Sequence, residues 1–283
     1  ASGRPQPRAP VEAAPSRRLL LVSYHFPPSE AVGGLRWQRL TGIGARRGWA
    51  ADVLTLKAER LDSCDWTRVR ELPVSTRLHW VDQPFTWEQQ FERVAERVWR
   101  ALRQTRRGAA TRSSPVAARP AMVDRQQVNW LADRRSLIRA HHVWQRYAKE
   151  MAWSKAAVAA GLEAFPDTPP DLVVSSGPPH LVHEAGRRLA NAFEVPFVID
   201  MRDPWSLQTH LQEHVASPLW LTLAERAEAR CVDRADLVVM NTPSAARAMA
   251  DRWPGKQTMS AMNGWDDEPL PTTQPIALGG SAN

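Results

Sequence analysis

Glycines, hydroxyls, carboxylates or guanidinium groups gather at four places in this 283-residue chain, each just after a strand-like run. In "YHFPPSEAVGGLRWQRL" (24–40), Gly33 and Gly34 sit immediately before a helical pattern and Arg36 falls in its first turn. Glycines at a helix start let backbone N–H groups approach an anion, and the helix dipole favours the anion's charge. A phosphate is one ligand for such a loop; a tight turn with positive φ is the other use of the same pair. In "SSGPPH" (175–180), Ser176 and Gly177 suit a hydroxyl or a phosphate, and His180 can wall a pocket. A plain helix cap, with proline at its first position, explains the same residues.

The third stretch, "DMRDPW" (200–205), puts Asp200, Arg202 and Asp203 at the mouth of the apolar run "PFVI". Buried strand ends rarely carry three charges unless these are paired or bind something. An ion-pair network would merely shape the loop. Otherwise an Asp accepts hydrogen bonds from sugar hydroxyls or acts as a base, while Trp205 stacks on a sugar face or packs. The fourth, "NGWDD" (263–267), opens with the turn pair Asn263–Gly264.

One further pattern competes. "HLQEH" (210–214) matches the H-x-x-E-H signature of inverted zinc peptidases, with His210, Glu213 and His214 as the reacting set. It falls between Pro204 and Pro218 in a segment that reads as loop or short helix, and no third ligand is apparent. No metal site is expected there, and zinc peptidase activity is the least favoured reading.

Those stretches need a frame. Runs at 19–23, 51–56, 76–81, 171–176, 196–201 and 235–240 read as strands, with a weaker one at 256–262. Several are continuously apolar, as in parallel strands covered on both faces. Helical patterns at 35–47, 86–103, 136–163, 179–193, 217–233 and 243–252 alternate with them. The predicted architecture is α/β, a doubly wound and mainly parallel sheet. In such sheets ligands bind beyond the carboxyl ends of the strands, where all four stretches fall. Residues 1–17 read as a disordered tail, 104–135 as a mobile basic insertion, and 269–283 as a linker.

Composition narrows the function classes. Hydrophobic residues make up 43% and charged residues 24%, and no apolar run is long enough to span a membrane. Cys64 and Cys231, far apart in sequence, exclude a disulfide framework and suit a reducing, cytoplasmic compartment. The formal charge of +7 fits phosphorylated substrates, nucleic acid or an anionic membrane. Thirteen arginines against four acids fall within 91–147. On the helix predicted at 86–103, Phe91, Val94, Val98, Trp99 and Leu102 form a stripe opposite arginines. That stripe either faces the core or lies on anionic lipid, as a peripheral attachment to the inner face of the cell membrane. No nucleic-acid module is recognisable, so no nucleic-acid partner is expected.

In order along the chain, "LLLVSYHFPPSEAVGGLRWQRLTGIGARRGWAADVLT", "PDTPPDLVVSSGPPHLVHEAGRRLANAFEVPFVIDMRDPWS", "RADLVVMNTPSAARAM" and "MNGWDD" resemble the amino-terminal domain of glycosyltransferase family 4. The resemblance spans about residues 18 to 268 and misses the insertion. It implies a Rossmann-like half of a GT-B enzyme. Such an enzyme transfers a hexosyl-type sugar from a nucleotide-sugar donor, with retention, to a lipid-linked or glycan acceptor of envelope polysaccharide synthesis. By the same resemblance Gly33, Gly34 and Arg36 face the donor diphosphate, and Asp200, Arg202 and Asp203 lie near the transferred sugar. Ser176, Gly177, His180 and Trp205 line the acceptor or sugar site, with Asn263 and Gly264 at the turn before the crossover. No metal or other cofactor is implied, because N–H donors and cations can stabilise the leaving diphosphate. The donor-binding carboxy-terminal domain is expected on a further segment or a partner chain, so this half alone is expected to be inactive. A non-catalytic partner module that keeps the cleft is the alternative.

Overall fold

The structure, a computed structural model, describes residues 15–84, 122–124, 134–208, 210–212 and 216–264. Its strands are β1 (Arg17–Ser23), β2 (Trp49–Leu56), β3 (Thr76–Val81), β4 (Met122–Asp124), β5 (Leu172–Gly177), β6 (Phe197–Met201), β7 (His210–Gln212), β8 (Leu237–Met240) and β9 (Thr258–Ser260). Its α-helices are α1 (Val32–Ala45), α2 (Thr67–Arg70), α3 (Arg134–Ala164), α4 (Val182–Phe193), α5 (Pro218–Arg234) and α6 (Pro243–Arg252).

Seven strands form one sheet in the order β3-β2-β1-β5-β6-β8-β9, and every pairing in it is parallel. The doubly wound α/β prediction is therefore met. Side chains alternate across β1: Leu20 and Val22 face one core and Leu21 the other. The larger core lies under α3, α4 and α5 and contains Trp153, Leu189, Phe197 and Val232. The smaller packs Phe26, Val53 and Val174 with Trp37 of α1. The order in which strands are added to the sheet reverses between β1 and β5, which makes their shared C-terminal edge the crevice of the fold.

Local chemistry sets the helix starts. Ser217 and Thr242 accept hydrogen bonds from the N–H groups of Trp220 and Ala245, and a proline follows each cap. Helix α1 has no side-chain cap and no acidic residue in its first turn. Gly48, at φ 78°, turns the chain from α1 into β2, and its carbonyl accepts from Ser16 N–H.

Several boundaries differ from expectation. Strand β1 starts at Arg17, inside the segment read as tail, because Ser16 and Arg17 bond to Gly48. Helix α1 starts at Val32, so Gly33 and Gly34 belong to its first turn rather than to a preceding loop. Of the insertion read at 104–135, Met122–Asp124 forms β4, which pairs antiparallel with β7, and α3 begins at Arg134. Three-residue strands leave no periodic signal, and only the tertiary pairing defines them. The helix predicted at 86–103 and the linker at 269–283 lie outside the described residues. Among the described residues no helix is long and apolar enough to cross a membrane.

Candidate active-site cleft

Strand register brings Ser176 of β5 beside Asp200 of β6, and α1 lies over both. Asp200, 2% exposed, accepts at Oδ2 from Trp37 Nε1 (2.7 Å), Ser176 Oγ (3.0 Å) and Arg36 Nε (3.2 Å). Its Oδ1 faces Arg36 Nη2 at 3.2 Å without hydrogen-bond alignment, so that contact is ionic rather than directional. Arg36 also donates from Nη1 to Asn263 Oδ1 (3.3 Å). Four predicted site residues, Arg36, Ser176, Asp200 and Asn263, thus form one network joining four strand ends. The network engages Asp200 Oδ2 and all three guanidinium nitrogens of Arg36, so these two residues hold the floor of the site rather than reach out of it.

Arg202 is oriented differently. Its Nε donates to Gly177 O (3.0 Å) and its Nη2 to Pro178 O (2.9 Å). The guanidinium lies against the first turn of α1: a Cβ on Gly33 would overlap Nη1 and stand 2.9 Å from Nη2. Gly33 is required by this close approach, while at Gly34 a Cβ would stand 3.3 Å from the Phe26 backbone. Burial pushes Arg202 down, with Asp200 and Asp203 opposing that shift and Arg36 adding to it. A cation therefore sits at the uncapped, positive end of a 14-residue helix. Asp203 is exposed beside it, and no hydrogen bond to it is found among the described residues. Among the described residues nothing lies within 4 Å of a Cβ placed on Gly264.

Trp205 and His180 make an internal stack, with ring centroids 5.1 Å apart and planes at 14°. Trp205 is 5% exposed and packs on His180, the second of the two uses considered for it. Burial pushes His180 down to about 3, and His183 falls well below the usual imidazole range for the same reason. His183 Nδ1 is hydrogen-bonded to Ser175 Oγ at 2.8 Å, and its Nε2 is wedged against Gly177 with no hydrogen-bond partner among the described residues. His210 stands in strand β7, so the helical face required by H-x-x-E-H is not formed there; Glu213 and His214 lie outside the described residues. No metal-ligating cluster occurs among the described residues.

Sequence reasoning missed the opposite wall. A cleft of about 400 Å³ opens between the loops after β1 and β5 and helix α3, lined by Tyr24, His25, Gln83, Arg146, Lys149, Glu150, Pro178 and Pro179. Burial pushes the Glu150 carboxyl up, against the pull of Arg146 Nε at 2.9 Å and of the Leu181 N–H. Tyr24 is pushed up to about 12, by burial first and the Glu150 charge second, and its hydroxyl donates to Gln83 Oε1 (3.3 Å). Burial beside Arg202 lowers His25, which is neutral at physiological pH, and its Nδ1 is buried without a partner. The Arg146–Glu150 spacing of four residues on a predicted helix was the one available signal.

No protein-family model matches the chain, and no curated protein matches it. Solved structures do. Sucrose-phosphate synthase from Thermosynechococcus elongatus aligns at 14% identity and TM-score 0.50, over 87% of this chain and 48% of that one. Arabidopsis thaliana UGT89C1 aligns at 11% identity and TM-score 0.47, over 89% of this chain and 52% of that one. Phytolacca americana UGT2, solved with UDP-2fluoro-glucose and pterostilbene, aligns at 10% identity and TM-score 0.44, over 86% and 54%. These neighbours are glycosyltransferases of GT-B architecture, and the likeness is one of fold. The chain spans about half the length of each of the three.

Proposed function

We propose that this chain is the acceptor-side half of a retaining glycosyltransferase of the family 4 type. Its donor is a nucleotide sugar, and its acceptor is a lipid-linked or glycan molecule of envelope polysaccharide synthesis. The observation that carries the reading is the seating of Arg202 against Gly33, at the uncapped start of α1 and at the sheet's switch point. Sugar transfer from a nucleoside diphosphate leaves that diphosphate with growing negative charge. A fixed guanidinium and the positive end of a helix stabilise such charge without reorganisation. Neither requires a metal in this reading.

The other residues then take definite roles. Asp200 holds Arg36, and Arg36 ties the last turn at Asn263 to the floor. Gly33 and Gly34 admit the diphosphate side of the donor, and Arg202 supplies the cation that Arg36, already paired, does not. Asp203, exposed at the mouth, accepts a hydroxyl of the transferred sugar or of the acceptor. Ser176 and Gly177 shape the base of the acceptor side, whose open volume is the cleft next to α3. The donor-binding half is supplied by a further segment or a partner chain, and without it no donor is turned over. The enzyme works in the cytoplasm, attached peripherally to an anionic membrane surface.

The test is transfer by the chain combined with its donor-binding half. Asp203→Asn is expected to lower turnover by at least tenfold while changing donor affinity less than threefold, as for a contact made mainly in the transition state. Undiminished turnover would remove Asp203 from the reacting set. Absence of any transfer from nucleotide sugars by the assembled protein would refute the reading.

A further inference from the structure

Glu228 of α5 is fully buried, and both of its oxygens bond one residue of the loop that carries Arg202 and Asp203. Oε2 accepts from Ser206 N–H (2.8 Å) and Oε1 from Ser206 Oγ (2.7 Å). Oε1 also accepts from Trp253 Nε1 (3.3 Å) and lies 3.5 Å from Arg252 Nε, so the end of α6 braces the same carboxylate. A buried carboxylate with this many donors is stabilised in one position. The loop is therefore tied on both sides of Asp203. On the near side, Arg202 bonds the carbonyl of Gly177 from its backbone N–H and the carbonyls of Gly177 and Pro178 from its guanidinium. On the far side stands the Glu228–Ser206 clamp. Between them, no hydrogen bond to Asp203 or Pro204 is found among the described residues, and proline has no N–H to give. Trp205 adds packing on His180, a contact without the direction of a hydrogen bond.

We propose that Glu228 is a positioning residue, which acts through Ser206 to set where the Asp203 carboxylate stands at the mouth of the cleft. This rests on the transferase reading, in which Asp203 meets a sugar or acceptor hydroxyl. Arg202 keeps its own carbonyl partners and does not depend on the clamp. Asp203 has no such partner, so its place follows from the anchors on either side. A small displacement of a group that must meet a reacting hydroxyl costs rate without costing much binding. Glu184 is the internal control: it is 2% exposed, but it holds Arg187 and Arg188 rather than the loop.

Nitrogen-15 relaxation of the full chain reads the clamp without any donor. The Asp203 amide is expected to be nearly as rigid as that of Met201, with an order parameter near 0.85, and to fall below about 0.6 in Glu228→Gln. Glutamine keeps the size but turns an N–H₂ towards donors that the carboxylate had satisfied. The Arg202 Nε–H signal should stay in place, and Glu184→Gln should leave the Asp203 amide unchanged. If Glu228→Gln does not fold, Ser206→Ala, which removes one of the two clamp bonds, should loosen Asp203 in the same direction. With the donor-binding half added, Glu228→Gln is expected to lower kcat about three- to tenfold while KM for the donor changes less than about twofold. In an Asp203→Asn background the same change should cost less than about twofold, because the residue acts through Asp203. An Asp203 amide as rigid in the clamp variant as in the wild type, equal loosening by Glu184→Gln, or kcat losses that multiply in the double variant would each overturn the proposal. A rigid Asp203 beside a working transferase sinks the clamp alone. A loosened Asp203 with no transfer from any nucleotide sugar sinks the transferase reading alone.

Discussion

Asp200→Asn distinguishes an anchor from a reacting group. Arg36 is 10% exposed at its side chain and Asp200 3%, so the pair is effectively buried. Asparagine keeps one acceptor for Trp37 or Ser176 but turns an amide N–H₂ towards the guanidinium. Arg36 then keeps only its single bond to Asn263 at the exposed edge. Removing one partner of a buried pair costs about 3–5 kcal/mol, chiefly because the other charge is left uncompensated. With Asn263 still engaged, the expectation is the lower end, about 3 kcal/mol. For a chain of this size, that lowers Tm by roughly 6–12 °C. Urea unfolding followed by far-ultraviolet circular dichroism measures it, with the m-value unchanged if the native state keeps its compactness. Arg36→Met combined with Asp200→Asn should be less destabilised than the sum of the two single variants by about 2 kcal/mol, as for coupled neighbours. A loss below about 1 kcal/mol for Asp200→Asn, or strict additivity in the double variant, would refute the buried-anchor account.

Two further outcomes follow from packing and burial. Gly33→Ala should cost about 1 kcal/mol, because it displaces only the tip of Arg202 from its carbonyl bonds, whereas Gly186→Ala should cost about 1–3 kcal/mol. There the new Cβ would meet Phe197 Cε2 at 2.7 Å and Ser175 Cβ at 2.8 Å inside the core. Urea midpoints of the two variants check the order, and a reversed order contradicts it. His180 and His183 are held neutral by burial and protonate only on unfolding, so the unfolded state takes up the extra protons as pH falls below 6.5. Stability is therefore full above that pH and falls by roughly 1.4 kcal/mol per unit per histidine on the way to about pH 4.5. Glu150 opposes part of the fall, since its raised folded pKa lets the native state bind a proton first. His180→Phe, which keeps the stack on Trp205, should flatten the urea-midpoint profile; an unchanged profile would contradict burial as the cause.

The frame was legible because parallel strands buried on both faces show as apolar runs, and the runs at 51–56 and 76–81 end where the strands end. The candidate site was legible as a place, since strand ends in a doubly wound sheet converge whatever their sequence. Its far wall was not. Gln83 follows an edge strand, and its two amide hydrogens bond the carbonyls of Pro84 and Lys149, the latter 66 residues on. Nothing local marks such a residue. Trp205 was read both ways, and only the register of β5 and β6 shows that His180 and His183 come to lie on it.

Roles within the charged turn illustrate the same limit more sharply. Asp200 and Asp203 are three residues apart and chemically identical, yet one ends a central strand and the other follows it. Strand geometry points Asp200 into the layer between sheet and α1, where Trp37, Ser176 and Arg36 take its lone pairs. Arg202 then bonds to the carbonyls of Gly177 and Pro178, so its guanidinium lies against the neighbouring loop, and Asp203 is left in solvent. The turn thus separates an anchor, a cation and an exposed carboxylate by strand geometry and hydrogen bonding. Because that separation depends on the reversal of strand order between β1 and β5, a substitution that shifts β5, such as Gly186→Ala under Ser175, should disturb the seating of Arg202 without touching any charged residue.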